Sequence, residues 1–351
     1  MSQRTLAGIL ALPLVVGLWL VAVFAPLPYV TYAPGVTVDV LGERSGVELI
    51  EIEGRETYRD EGELLLTTVY VSRPGTRVNL FEVMEAWIDR DTAVLPYGAV
   101  YAPEQTREQV EQEGAVQMAS SQDIAVAVAL QHLGVEVPQQ VKVLSVAEGL
   151  PAEGVFEVDD VLRTVNGKPV ATAQDVVDAV DAAQDGQELV FTVVRAGQEQ
   201  ELRVTPAMVD GDRRIGITPG TAYVLPVEVE MAVDPSIGGP SAGLVFALAV
   251  HDTLTPGSLT GGATVAGTGT LAADGAVGPI GGVAQKIAAS REAGADLFLV
   301  PGANCDEALG ARNGDMRLVR VDNYKDAMAS IEAWVEDPDA SLPTCERTED
   351  Q

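Results

Sequence analysis

The chain has few of the residues that metal and redox sites require. Its 351 residues include two histidines, His132 and His251, and two cysteines, Cys305 and Cys345. Two histidines argue against the usual zinc site, and two widely separated cysteines form neither a metal-ligand spacing nor a disulfide framework. One disulfide between them is possible. We therefore expect no metal and no cofactor.

Positive charge is also scarce. The chain has 22 lysines and arginines against 52 acidic residues, a formal net charge of −30. Nucleic acid and anionic lipid repel such a surface, so we expect no nucleic-acid partner. The phosphate-binding pattern Gly-x-x-x-x-Gly-Lys-Ser/Thr is absent, so we expect no ATP either. Lysine is rare enough that all of its positions can be named: Lys142, Lys168, Lys286 and Lys325.

The N-terminal segment from Leu6 to Val30 contains no charged residue. About 20 apolar residues suffice to cross a bilayer as a helix, and Arg4 provides a positive flank. The pattern predicts a cytoplasmic N-terminus over 1–5 and a single membrane anchor over 6–28. The bulk of the chain is then extracytoplasmic at the cell membrane. The alternative is a signal peptide cleaved after Ala25, which gives a secreted protein.

Changes in pattern divide the rest of the chain into four parts. Residues 35–134 alternate strand-like runs with helical spacing and predict an α/β region that packs with a later domain. Residues 135–207 contain short strands, a tight turn and one capped helix. Residues 209–336 predict a second α/β unit, including a strand over 223–233. Residues 337–351 predict a disordered acidic tail.

Three segments of 135–207 follow one another in a characteristic order: Leu150-Pro151-Ala152, Asp159-Asp160-Val161-Leu162 and Val165-Asn166-Gly167-Lys168-Pro169-Val170. With these segments, the region resembles a bacterial PDZ domain. The resemblance implies that a peptide adds a strand beside the helix that bears Val176 and Val180. The alternative is that these valines are core residues. The nearest candidate for a carboxylate-binding loop is Leu133-Gly134-Val135.

A serine lies where a helix is predicted to begin, in Gly238-Gly239-Pro240-Ser241-Ala242-Gly243. The first amide groups of a helix are unsatisfied and carry partial positive charge. The amides near Ala242 and Gly243 are therefore candidate donors to an oxyanion formed when the Ser241 hydroxyl attacks a carbonyl.

The serine needs a base, and two candidates exist. His251 lies ten residues along the same predicted helix, about 15 Å away at ~1.5 Å per residue, which is too far for proton transfer. Lys286 follows Gly281-Gly282 and falls in the first turn of another predicted helix. The helix dipole and burial both lower the pKa of a lysine there, which favours a neutral amine. Lys286 is therefore the predicted base.

These two segments resemble the proteolytic domain of Lon proteases. The resemblance rests on Gly239–Gly243, on 275–294 around Lys286, and on Val300-Pro301-Gly302-Ala303-Asn304. It implies Ser241 as nucleophile and Lys286 as general base. It also implies Thr268 as a hydrogen-bond partner of the lysine. The chain departs from the family at Ile237-Gly238 and Gln285, where acidic residues are common.

Together these features predict an α+β chain with an N-terminal transmembrane helix, a PDZ domain and a Lon-like α/β proteolytic domain. The whole resembles the membrane-anchored, PDZ-containing Lon-like proteases of the YlbL type. It implies an ATP-independent serine endopeptidase that cleaves unfolded or flexible proteins and peptides. A homo-oligomer is possible, because related domains form rings. The alternative is a non-catalytic scaffold that assembles partner proteins at the membrane.

Overall fold

The computed structural model describes residues 3–44, 46–76, 78–102, 105–209 and 211–346, with side chains at the N-terminus from residue 11 onward. The chain divides into two compact units. Unit 1 consists of Met1–Leu133 together with Val227–Gln351, and unit 2 is Gly134–Pro226. Unit 2 is therefore an insertion in the sequence of unit 1.

The helices of the described residues are α1 Gln3–Phe24, α2 Leu80–Ile88, α3 Tyr97–Val100, α4 Arg107–His132, α5 Ala173–Asp181, α6 Gly243–Leu254, α7 Val283–Glu292, α8 Cys305–Ala308 and α9 Tyr324–Glu336.

The strands are β1 Tyr29–Asp39, β2 Glu43–Arg44, β3 Val47–Glu48, β4 Ile50–Glu53, β5 Glu63–Val71, β6 Ala93–Pro96, β7 Gln139–Val146, β8 Val161–Val165, β9 Lys168–Pro169, β10 Leu189–Arg195, β11 Gln198–Val204, β12 Ala207–Val209, β13 Asp212–Arg214, β14 Ile217–Tyr223, β15 Glu228–Met231, β16 Thr264–Gly267, β17 Thr270–Leu271, β18 Val277–Gly278, β19 Leu297–Pro301 and β20 Arg317–Val321.

Unit 1 is built on a mixed sheet in the order β20-β19-β16-β5-β1-β6. β5, β16, β19 and β20 run parallel, and β1 pairs antiparallel with β5 and β6. The parallel strand β19 is a continuous apolar run, and all of its residues are buried. Such strands need cover on both faces, and α7 packs on β1 and β5 while α6 packs on β5 and β16. The segment 35–134 thus supplies β1, β5 and β6 to the same sheet as the later strands.

α4 is one continuous helix of 26 residues. Thr106 caps its N-terminus through a capping box with Gln109. Its second half is buried from Ala125 to Leu130 and packs against α6 within unit 1. Gly134, with φ of 75°, follows its C-terminus in the left-handed conformation that glycine favours.

Unit 2 has a sheet in the order β11-β10-β8-β7-β14, with α5 packed near β14. Phe156 and Phe191 meet edge to face in its core at 5.1 Å between ring centroids. The buried carboxylate of Asp160 accepts hydrogen bonds of 2.6 Å from Nε and Nη2 of Arg195. Unit 2 extends beyond the predicted boundary at 207, because β14 completes its sheet by pairing with β7. The predicted strand over 223–233 shrinks to β15.

The predicted transmembrane helix over 6–28 is wrong as an assignment of fold. No helix in the described part of the chain is both long enough and apolar enough to span a bilayer. α1 contains Pro13.

The tail also differs from the prediction as far as residue 346. Cys345 forms a disulfide with Cys305. The Pro343 carbonyl accepts a hydrogen bond of 3.0 Å from the amide of Arg320 in β20. Arg317 donates to the carbonyls of Pro338 and Ala340. These bonds hold 338–345 against unit 1, while 347–351, like residues 1 and 2, lie outside the described residues.

Candidate active site

The loop before α6 places Ser241 at the start of a buried helix. Gly239 has φ of 93°, which only glycine adopts without strain. Ala242 is the N-cap residue of α6, and the helix begins at Gly243. All residues from Gly243 to Val250 are buried, so the helix is fixed in the core. This explains why an apolar run directly follows the Gly-Pro-Ser segment.

Lys286 lies in the first turns of α7, as the sequence predicts. Gly282, in the left-handed conformation with φ of 71°, is the N-cap residue. A Cβ at Gly282 would lie 2.9 Å from Val69 Cγ1, so only glycine allows this approach to β5. Asn304 also fixes the entry to α7: its amide accepts from the Ile280 N–H and donates to the Ile280 carbonyl, both at 2.9 Å.

Three side chains meet in a chain of hydrogen bonds between these elements. Lys286 Nζ lies 2.7 Å from Ser241 Oγ and 2.9 Å from Thr268 Oγ1. Thr268 Oγ1 in turn donates to the Ser241 carbonyl at 3.0 Å, so its lone pairs face the amine. The structure thus brings together Ser241, Lys286 and Thr268, the three residues that are predicted from the sequence to take part in catalysis.

The surroundings of Lys286 favour the neutral amine. The side chain is 2% exposed, and burial lowers its pKa to about 7. An ammonium group has three donors, and two acceptors lie near Nζ among the described residues. No described ion pair joins Lys286 to a carboxylate, which agrees with Gln285 in place of an acidic residue. Burial therefore makes the neutral amine, the form that can accept a proton, accessible near pH 7.

The two predicted oxyanion donors differ in their hydrogen bonds. The Gly243 N–H makes a long bond of 3.4 Å to the Pro240 carbonyl, and the next amide, of Leu244, donates to Gly269. Among the described hydrogen bonds, none uses the Ala242 N–H. Ala242 therefore has a free donor directly after Ser241, whereas Gly243 has to release a weak bond.

Ser241 and Lys286 open into a cleft of about 940 Å³. One wall is the second half of β1, from Val36 to Asp39, and another is the segment from Ser236 to Ala242. β6 pairs with β1 only from Tyr29 to Tyr32, so the outer edge of β1 has no partner among the described strands beyond that point. An unpaired strand edge in a cleft can bind an extended peptide.

His251 is not part of this site. It packs against His132 at 5.5 Å between ring centroids, and His132 packs against Tyr324. Burial and His132 lower the pKa of His251 to about 4, so its ring is neutral at pH 7. None of the described hydrogen bonds joins it to Ser241. This position agrees with the prediction that His251 lies too far from Ser241 to accept its proton.

In unit 2, Val176 and Val180 are core residues that also border a groove. They are 1% and 6% exposed, and the groove of about 500 Å³ beside them is lined across from α5 by Arg213–Pro219. Leu133-Gly134-Val135 is not among its lining residues. The strand that lines the groove is β14, whereas the sequence pattern places its residues in the second α/β unit, 209–336. The overlooked signal was Ile215-Gly216-Ile217, an apolar pair around a glycine with φ of 94°.

Comparisons with known proteins identify both domains. A family model of the PDZ domain matches residues 115–205, and one of the Lon protease (S16) C-terminal proteolytic domain matches residues 230–330. The Lon protease of Campylobacter concisus is 34% identical over 94 residues, which are 26% of this chain and 11% of that protein. A probable periplasmic serine endoprotease of the DegP-like type from Pseudomonas putida is 31% identical over 88 residues, 24% of this chain and 18% of that protein.

The chain thus spans less than a fifth of the length of these relatives. Among solved structures, the second domain of the Listeria protein Lin2157 is 26% identical, with a TM-score of 0.22, over 23% of this chain and 82% of that one. The finer assignment to the YlbL type stays a prediction. The chain carries a PDZ domain and a Lon-type C-terminal proteolytic domain, a combination that supports a serine peptidase.

Proposed function

We propose that the protein is an ATP-independent serine endopeptidase with a Ser241–Lys286 dyad. The observation that carries the proposal is the 2.7 Å contact between Lys286 Nζ and Ser241 Oγ, with the lysine buried and its pKa lowered to about 7. A neutral amine at hydrogen-bond distance from a hydroxyl is the arrangement that activates a serine.

The reaction follows from these contacts. Ser241 Oγ attacks the scissile carbonyl while neutral Lys286 takes the hydroxyl proton, and the oxyanion accepts a hydrogen bond from the Ala242 N–H. The Lys286 ammonium then gives its proton to the departing amine, leaving an acyl ester on Ser241. A water molecule, deprotonated by Lys286, attacks the ester, and the returned proton restores Ser241.

Thr268 orients the base in this scheme. Its own proton is committed to the Ser241 carbonyl, so it can only accept from Lys286. One N–H of the neutral amine then points to Thr268, which leaves the amine lone pair for the Ser241 proton. The same hydroxyl also ties the Ser241 backbone to the strand end after β16.

The cleft supports extended polypeptide substrates. A segment that pairs with the free edge of β1 has to be unfolded or flexible, because the backbone groups of a folded segment are already bonded. The chain has no phosphate-binding loop to power unfolding. Substrates are therefore segments that are already unfolded.

The groove between α5 and β14 supports a second binding step, in which a peptide adds a strand to β14. β14 lies at the edge of the described sheet of unit 2, and Val177, 40% exposed, presents an apolar side chain to the groove. Gly216 and the neighbouring Arg213 and Arg214 lie at one end of it. A peptide with an apolar terminal residue and a free carboxylate matches this lining.

Val177→Glu tests the groove without emptying the core. We expect KM for an unfolded protein to rise about tenfold, because a charge replaces an apolar contact, while cleavage of a short peptide is unchanged. Gln174→Glu adds the same charge to an exposed position of α5 and should leave both activities unchanged. Equal KM values for Val177→Glu and wild type would exclude this groove from substrate capture.

The disulfide supports an extracytoplasmic location, because cytosolic proteins rarely keep disulfides. Quenching cells with a thiol-alkylating reagent before lysis should leave Cys305 and Cys345 unlabelled. Labelling of both cysteines would place the chain in a reducing compartment.

The scaffold alternative is less favoured, because a buried lysine without a counter-ion is costly and serves no purpose in a scaffold. Degradation of fluorescein-labelled casein by the purified protein distinguishes the two. We expect cleavage by wild type, none by Ser241→Ala, and no change on adding ATP and magnesium. Intact casein with wild type would support the scaffold, and a reproducible stimulation by ATP would refute the ATP-independent mechanism. A homo-oligomer stays a prediction.

A further inference from the structure

We propose that Ser121 in α4 is a positioning residue for the nucleophile. The inference rests on the proposed function, since it assigns a role in the same reaction. Ser121 lies within the residues that match the PDZ family model. The whole of α4, up to its last residue His132, nevertheless belongs to unit 1. Its hydroxyl, 4% exposed, donates to the carbonyl of Pro240 at 3.1 Å. Pro240 directly precedes Ser241.

α4 makes a second bond to the same loop. The Gly239 amide donates to the carbonyl of Gly114 at 2.9 Å, seven residues before Ser121 on the helix. The two backbones are close, because a Cβ at Gly238 would lie 3.2 Å from backbone atoms of Gly114. Residues seven apart lie on the same face of a helix. One face of α4 therefore holds two peptide groups on the N-terminal side of Ser241, the one between Gly238 and Gly239 and the one between Pro240 and Ser241.

The hydrogen bonds from α4 hold the backbone of Ser241 on one side, and other residues hold it on the opposite side. On the other side, the Ser241 carbonyl accepts from the Gly269 N–H at 2.9 Å and from Thr268 Oγ1 at 3.0 Å. Gly269 and Thr268 hold one side of Ser241, and Ser121 holds the other. Oγ has to stay at hydrogen-bond distance from Nζ and in line with the scissile carbonyl, and small displacements from such a geometry are costly in rate.

Loss of the Ser121 hydroxyl should therefore lower kcat and spare substrate binding. For Ser121→Ala we expect kcat on an uncharged short peptide to fall about fivefold to tenfold, the equivalent of one hydrogen bond. KM should stay within twofold of wild type. The pH at half-maximal kcat/KM should not move, because Lys286 and its surroundings are unchanged.

Ser120→Ala is the matched control. Ser120 is the preceding residue on α4, is exposed, and makes none of the described hydrogen bonds. It should retain full activity. If Ser121→Ala fails to fold by thermal denaturation, Ser121→Cys keeps the volume with a weak donor and should show the same selective loss of kcat.

Three results would overturn the proposal. They are a kcat of Ser121→Ala within twofold of wild type, an equal loss in Ser120→Ala, and a loss accompanied by an alkaline shift of the pH profile. The last would mean that water has reached Lys286 and the whole site has loosened. Inactive wild type would instead refute the proposed function, so the two failures are distinct.

Discussion

Ser241→Ala and Lys286→Ala should each lower kcat/KM for peptide cleavage by at least about a thousandfold, because each removes one half of a unit that works only together. Without Oγ there is no acyl-enzyme, and without the amine the hydroxyl keeps its proton at neutral pH. The double variant should be no slower than either single variant. Steady-state cleavage of a fluorogenic peptide measures all three rates.

The control for the serine is Ser236→Ala. Ser236 lies in the same cleft wall and donates only to Asp234, at 2.8 Å, so its loss should leave most of the activity. Thr268→Val should give an intermediate loss of about tenfold to a hundredfold, because it removes an orienting bond and leaves both reacting groups. Substantial cleavage by a folded Lys286→Ala variant would show that another group is the base.

Lys286→Met should raise the free energy of unfolding at pH 7 by roughly 2 to 4 kcal/mol while abolishing activity. In the folded state burial lowers the pKa of Lys286 from its ordinary value of 10.5 to about 7, whereas the unfolded chain keeps the ordinary value. The penalty for this lysine is full below about pH 7, the folded-state pKa, and disappears as pH rises to about 10.5, the unfolded-state pKa. Methionine, of similar shape, carries no such penalty.

The stability that Lys286→Met gains over wild type should therefore decrease as pH rises. The stability difference between Lys286→Met and wild type should be largest near pH 7 and should shrink steadily toward pH 10. Chemical denaturation at several pH values measures it. Lys325→Met, at an exposed position of α9, is the control and should show no such trend. A Lys286→Met variant less stable than wild type at pH 7 would mean that the lysine is well solvated or paired.

The sequence predicted the site better than the domains. Gly-Pro-Ser before an apolar run and a lysine after Gly-Gly each predict a helix N-terminus, so the two side chains were predictable as a pair. The role of Ser121 was not predictable, because one serine on a long helix carries no local signal. Only the fold brings its hydroxyl to the carbonyl of Pro240. Likewise β14 is a seven-residue strand that joins the sheet of unit 2 by long-range pairing.

The predictions for the two ends of the chain were wrong for a different reason. Composition predicted a spanning helix and a disordered tail, yet no helix of the described residues is both long enough and apolar enough to span a bilayer, and Cys345 bonds the tail to Cys305. Composition reports average tendencies of a segment. One covalent bond or a few hydrogen bonds with distant residues override those tendencies.

The most direct test of the central claim is the titration of Lys286 itself in the resting protein. Only four lysines occur in the chain, so their Nζ and Cε resonances, labelled with 15N and 13C, can be assigned by single substitutions. One lysine, absent from the Lys286→Met spectrum, should titrate near pH 7, where kcat/KM is half-maximal. A Lys286 that titrates near the ordinary lysine pKa of 10.5 would contradict the dyad.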